Sequence, residues 1–139
     1  MTYVNSEPLQ AAIFSHLQGD AGLIAAVGSA IYDAPPPNAL DLPSTHVTIG
    51  EEQARDASSV TSRAAVHEFT VSIHTSEAGF QKAKEAATAV CEALQDAPLT
   101  LSRGRLVSLR FLSARSERNT ARRPRRVLLR FRAFVEDAG

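Results

Sequence analysis

Two periodicities alternate along the chain. Leu9, Ala12, Ile13, His16 and Leu17 recur at helical spacing and predict a helix that begins near Asn5 or Ser6 and stops at Gly19. Asn5 or Ser6 can cap its free N–H groups, Glu7 suits the positive end, and Pro8 suits the first turn. A short second helix is expected over Ala21 to Val27, with Gly28 as its stop. Ile31 and Tyr32 start a short strand, and Pro35, Pro36 and Pro37 then force extended backbone.

From there the period drops to two. Thr45 to about Gln53 predicts a strand with His46, Thr48 and Gly50 on one face and Val47 and Ile49 on the other. Ala65 to Thr75 places Phe69, Val71 and Ile73 on one face and Glu68, Thr70, Ser72 and His74 on the other. Such alternation belongs to a sheet with one wet face. The polar stretch Arg55 to Arg63 between these strands is longer than a tight turn and predicts an exposed, mobile hairpin tip. A long helix follows, from Glu77 or Ala78 to Ala97, with Ser76 as its cap and Phe80, Ala83, Ala87, Val90, Cys91 and Leu94 as its apolar stripe. Two strands close the chain. Arg105 to Ser116 carries Val107, Leu109 and Phe111 on one face. Arg125 to Glu136 carries Val127, Leu129, Phe131, Ala133 and Val135, with Arg126, Arg130 and Arg132 opposite.

The predicted fold class is α+β: two main helices packed on one face of a mainly antiparallel four-stranded sheet, in the order α-(α/β)-β-β-α-β-β. With 139 residues and 44% apolar content, the chain is expected to form a single soluble domain over 1–139 that needs no staple. No apolar run approaches the roughly 20 residues that span a bilayer. Met1 to Glu7 lacks the pattern of a signal peptide. The lone cysteine, Cys91, excludes an internal disulfide and fits a reducing compartment.

Charge changes the picture. The chain is neutral overall, yet residues 1–69 hold eight acids and two bases, whereas residues 103–132 hold eleven arginines and one acid, Glu117. Two solvated faces of one domain would explain this. So would an interaction surface, with nucleic acid or a second copy as its partner.

Catalytic chemistry is missing. His16, His46, His67 and His74 make no helical i, i+4 pair, and His67 and His74 point to opposite faces of one strand, so three or four metal ligands do not converge. His16 reads as a satisfied boundary histidine and Cys91 as a small buried hydrophobe. No glycine-rich loop precedes a lysine as in a phosphate-binding loop. Glu51 and Glu52 are strand neighbours on opposite faces, a poor acid–base pair. No enzyme, cofactor or metal is expected. The strongest positive feature is Arg122, Arg123, Arg125 and Arg126, followed by Arg130 and Arg132. Arginine suits bidentate contacts to carboxylate or phosphate. No helix carries these residues, and Phe131 and Phe134 are the only aromatics nearby, so sequence-specific base readout is not expected.

Four stretches together resemble the tail-terminator (tail-completion) proteins of long-tailed phages and gene transfer agents. They are SEPLQAAIFSHLQGDAGLIAAVG from Ser6, AIYDAPPPNALDLPSTHVTIGE from Ala30, HEFTVSIHTSEAGFQKAKEAATAVCEAL from His67, and RRVLLRFRAFVED from Arg125. The resemblance lies in order and spacing, covers nearly the whole chain, and is strongest to the alphaproteobacterial gene transfer agent version. The lack of tryptophan is a departure.

The resemblance implies a structural protein of the tail at the head–tail junction, assembled in the bacterial cytoplasm, with no membrane partner. It would form a homo-oligomeric ring, hexameric by family habit, on the last ring of the tail tube protein. That ring would stop polymerisation and join the stopper or connector below the head, and DNA would transit the lumen without sequence-specific binding. A closed ring needs a heterologous interface. The interface candidates are Glu51, Glu52, Arg55, Asp56, Val60, Arg63, Arg122, Arg123, Arg125, Arg126, Arg130 and Arg132. The alternatives are another neck protein, such as a stopper or head-completion protein, or a nonspecific nucleic-acid-binding module that uses the arginine face.

Overall fold

The computed structural model describes residues 3–33, 45–76, 79–118 and 125–137. The element order is α1 (Ser6–Gln18), α2 (Ala21–Val27), β1 (Ile31–Tyr32), β2 (Thr45–Asp56), β3 (Arg63–Thr75), α3 (Gln81–Leu94), β4 (Arg105–Arg118) and β5 (Arg125–Asp137). The strands form one five-stranded sheet in the order β1-β2-β3-β5-β4.

This corrects the expected fold class. The protein is α+β, but the described residues form three helices and a mixed five-stranded sheet, because β1 pairs with β2 in parallel. The other pairings are antiparallel. β1 is only two residues long and depends on a distant partner: Val47 N–H donates to Ala30 O at 2.9 Å. Local pattern alone does not reveal such a pairing.

Alternation on β3 and β5 sets the core. Ile49, Val71 and Leu129 sit in register across three strands, and so do Val47, Ile73 and Val127. The rings of Phe69 and Phe131 stack with centroids 5.6 Å apart. Leu9, Ile13 and Leu17 of α1, Leu23 of α2, and Ala83, Ala86, Val90 and Leu94 of α3 cover this face. Each fully buried large side chain contributes about 1.5–3 kcal/mol. The alanines of α3 let it lie close to β3 and β5.

Helix ends follow local chemistry, with two departures. Asp20 caps α2 by accepting from Leu23 N at 2.9 Å. Asn5 sits at the start of α1 but makes no side-chain cap; it is buried against Gly104 instead. α3 begins at Gln81, later than Ser76 as a cap would give. Gly79, with φ +105°, separates strand from helix.

Three irregularities redirect side chains. In β2 the register shifts between Gly50 and Glu52, and Glu51 takes φ +38°. Beyond this bulge, Glu52, Ala54 and Asp56 share the face of Phe69, while Gln53 and Arg55 turn to the face without helices. β4 shifts at Val107 and again at Leu112. The first bulge takes Val107 out of the expected buried stripe, whereas Leu109 and Phe111 still share the core face, Phe111 being left partly open at the edge of the sheet. Leu109 is 3% exposed, against 45% for Val107 and 52% for Phe111.

The hairpin tip is exposed, as expected, but shorter than Arg55 to Arg63. It spans 57–62; Ser59 N–H donates to Ser62 O at 2.8 Å, and Ser62 Oγ donates to Glu136 at 2.8 Å. Val60 at its apex is fully exposed.

Candidate assembly interface

The bulge at Glu51 creates a polar cluster under the start of α1. Glu52 accepts from Tyr3 Oη, from Ser6 Oγ at 2.5 Å and from His67 Nδ1 at 2.8 Å. Burial pushes the Glu52 carboxyl up, but the hydrogen bonds from His67, Ser6 and Tyr3 outweigh it and hold the group below the usual carboxylate range. His67 is fully buried and its Nε2 has no hydrogen-bond partner among the described residues. This cluster pins the N-terminal helix to the sheet. Glu52 is therefore not on the surface with Glu51, and it is a packing residue.

The sheet face without helices has the opposite character. Register places Arg55 of β2, Arg126, Arg130 and Arg132 of β5, and Arg105, Arg110 and Arg115 of β4 on it, with Glu68, Glu117 and Glu136. Glu68 is a hub. It accepts from Arg55 at 3.2 Å, Arg130 at 2.8 Å and Arg132 at 3.1 Å. The Arg132 guanidinium, helped by Arg55 and Arg130, holds Glu68 below the usual carboxylate range. Glu117 pairs with Arg126 and Arg115, each at 2.6 Å, and Glu136 pairs with Arg105. Arg110 lies across from Arg132 with no ion-pair partner among the described residues. Beside the hub runs an open trough of about 820 Å³, lined in part by Thr48, Thr70, Ser72, His74, Arg115 and Arg130.

The structure thus gathers Arg55, Arg130 and Arg132 at one point and Arg126 at a neighbouring one. It sends Arg125 elsewhere, over the ring of Phe80 at 5.7 Å. Asp56, Val60 and Arg63 belong to the β2–β3 tip, where Asp56 accepts from Ser58 Oγ at 2.8 Å. Arg122 and Arg123 lie outside the described residues. Glu68 was not among the expected site residues, although its alternation with Phe69 already placed it on the wet face.

A second surface escaped the sequence altogether. β4 is the last strand of the sheet, and its C-terminal half is exposed. An apolar groove of about 480 Å³ runs between α3 and β4, floored by Ala87, Cys91, Phe111, Ala114, Val127 and Leu129. Phe111 meets Phe131 edge-on at 5.9 Å. Phe111, Leu112 and Val107 together expose apolar area along this edge. Burial raises the Cys91 thiol above its ordinary value, so it is a poor nucleophile. His16 Nε2 is satisfied at 2.8 Å from Ala93 O. Among the described residues, no three His, Cys, Asp or Glu side chains group as a metal site, and no helix is long and apolar enough to cross a membrane.

Residues 11–136 match the family model of the tail completion protein gp17. The chain belongs to the tail completion protein family. Its role is therefore that of a structural protein of a tail. No curated protein matches it. Among solved structures, it is similar to a chain in the virion of a native gene transfer agent particle, with 49% identity and a TM-score of 0.89. The likeness covers 97% of this chain and 99% of that one.

Proposed function

We propose that this tail completion protein is the tail terminator of a gene-transfer-agent-like particle, a structural subunit with no enzymatic role. Residues 1–139 would act as one domain that forms a ring on the last ring of the tail tube. The ring stops tube polymerisation and joins the tail to the head-side stopper, and DNA passes through its lumen. The observation that carries this reading is the near full-length likeness to a chain of a gene transfer agent virion.

The surface chemistry supports it. A ring needs two different patches that fit each other. The apolar edge at β4 supplies desolvated contact area, of the kind found at the centre of protein interfaces. The exposed tip at Val60 and the charged groups at Arg63, Arg125 and Glu51 are candidates for register and partner choice.

Electron microscopy of particles from a strain lacking the chain tests the reading. Tails of abnormal length, or tails separated from heads, are expected. Normal joined particles would refute it, and heads with defective portals but regular tails would point to a different neck protein.

A further inference from the structure

The geometry points to the helix-free sheet face as a contact surface for the phosphodiester backbone of nucleic acid, centred on the arginines that share Glu68. For its place in the particle this rests on the ring reading above; as a binding surface it stands on the structure alone. Seven arginines face three glutamates there by register. Arg55, Arg130 and Arg132 come from two strands that flank β3, and Glu68, which all three contact, lies on β3 between them. One carboxylate cannot neutralise three guanidiniums, and Arg110 adds a fourth beside Arg132. The three are about half exposed, so they can exchange Glu68 for an oxyanion without unfolding anything.

The trough beside the hub carries the remaining chemistry. Thr70, Ser72 and Ser113 present hydroxyls along it, whereas the buried Thr48 hydroxyl is held by His74 Nε2 at 3.1 Å; hydroxyls and guanidiniums are the usual phosphate donors. No Phe, Tyr or Trp lines this trough, and its one ring, the imidazole of His74, already stacks on His46 at 4.9 Å, so contact would be indifferent to sequence.

An acidic protein is the competing occupant. It is disfavoured because a protein interface needs an apolar centre. The large apolar side chains most exposed on the sheet, Val107, Phe111 and Leu112, belong to β4, the edge strand; on the arginine face only the half-buried Leu128 borders the trough, with the half-buried Phe134 farther along β5. Glu68 and Glu51 line the same trough, so phosphate must compete with resident carboxylates. Contact is then weak and quickly reversed, as a surface past which a polyanion slides requires.

The test uses the full-length protein and a fluorescent random-sequence DNA duplex, with anisotropy read across a salt series starting at low ionic strength. Binding that weakens with salt is expected, because each neutralised phosphate adds about −0.9 to the log–log slope. Arg130→Gln with Arg132→Gln should reduce that slope by roughly two, and Arg55→Gln alone by roughly one. Glu68→Gln should tighten binding. Lys82→Gln with Lys84→Gln removes the same charge from α3, which lies on the other face, and should leave the slope unchanged. No binding at low salt, or equal losses from the lysine and arginine pairs, would overturn the assignment. Loss of tail assembly in the arginine variant without any DNA binding by the parent protein would also overturn it, in favour of an acidic protein partner. A monomer that binds DNA through this face would uphold the assignment while removing the ring.

Discussion

Nδ1 of His67 lies 2.8 Å from Oε2 of Glu52, inside the sheet–helix layer, because one extra residue at Glu51 turns the strand over. Without that bulge Glu52 would face the solvent side with the arginines. The pair and its partners Tyr3 and Ser6 make stability depend on pH. The folded-state value of Glu52 is depressed. Its contribution is therefore fully present above the ordinary carboxylate range and declines as pH falls through the lower folded value. Glu52→Gln is expected to cost about 1–3 kcal/mol at neutral pH. The difference from the parent should close in strongly acidic buffer. Urea midpoints measured across pH check this, and a constant gap at every pH would exclude the charged form as its source.

Gly104 provides a second test of the same corner. Its φ is +84°, and an added Cβ would lie 2.7 Å from Asn5 Oδ1 and 2.9 Å from Glu136 O. Gly104→Ala combines a left-handed backbone with a clash and should destabilise by at least about 1–2 kcal/mol. Gly50→Ala is the control, since its φ is not positive and an added Cβ would meet nothing within 4 Å. Equal unfolding midpoints for the two variants would contradict the geometry.

Much of the core could be read from alternation alone. Phe69, Val71 and Ile73 on β3, and Val127, Leu129 and Phe131 on β5, are buried as period two requires. The bulges could not. Gly50 looks like an ordinary strand residue, and nothing in the run Gly50-Glu51-Glu52 says which of two acids takes the strained position. Val107 and Leu112 fit an unbroken strand as well as a bulged one. The Glu68 hub needs β3 to lie between β2 and β5, although β4 precedes β5 in the chain. That neighbour order is a property of the whole sheet, and local pattern does not encode it. The apolar groove escaped notice for the same reason: Phe111 is exposed because β4 is the edge strand.

The edge itself yields a prediction that separates folding from assembly. Leu112 is a bulge residue on β4 and 36% exposed. Leu112→Asp should cost about 1 kcal/mol, because the side chain is partly covered, and leave the protein folded. It should nevertheless reduce self-association, because an unpaired charge would be carried into a desolvated contact. Light scattering of the purified protein, together with a thermal melt, reads both quantities. Unchanged self-association would remove the β4 edge from the subunit contact.

Arg125 and Arg126 test the charged part of the ring. Arg126 Nε donates to Glu117 at 2.6 Å, whereas Arg125 lies over the Phe80 ring. The two adjacent arginines therefore serve different neighbours. Arg125→Glu with Arg126→Glu reverses both charges at the end of β5 that borders the turn from β3 toward α3. The reversal places a carboxylate beside Glu117, so some stability is lost; the neutral variant Arg125→Gln with Arg126→Gln avoids that repulsion. If these groups set register between copies or with the tail tube, both variants should give tails of abnormal length or unjoined heads, the reversed pair more severely. Since rim charges act mainly through encounter and orientation, added salt should weaken assembly of the parent protein and narrow its gap to the neutral variant. Tails of normal length and undiminished DNA delivery from the reversed pair would show that assembly rests on the apolar edge and not on these arginines.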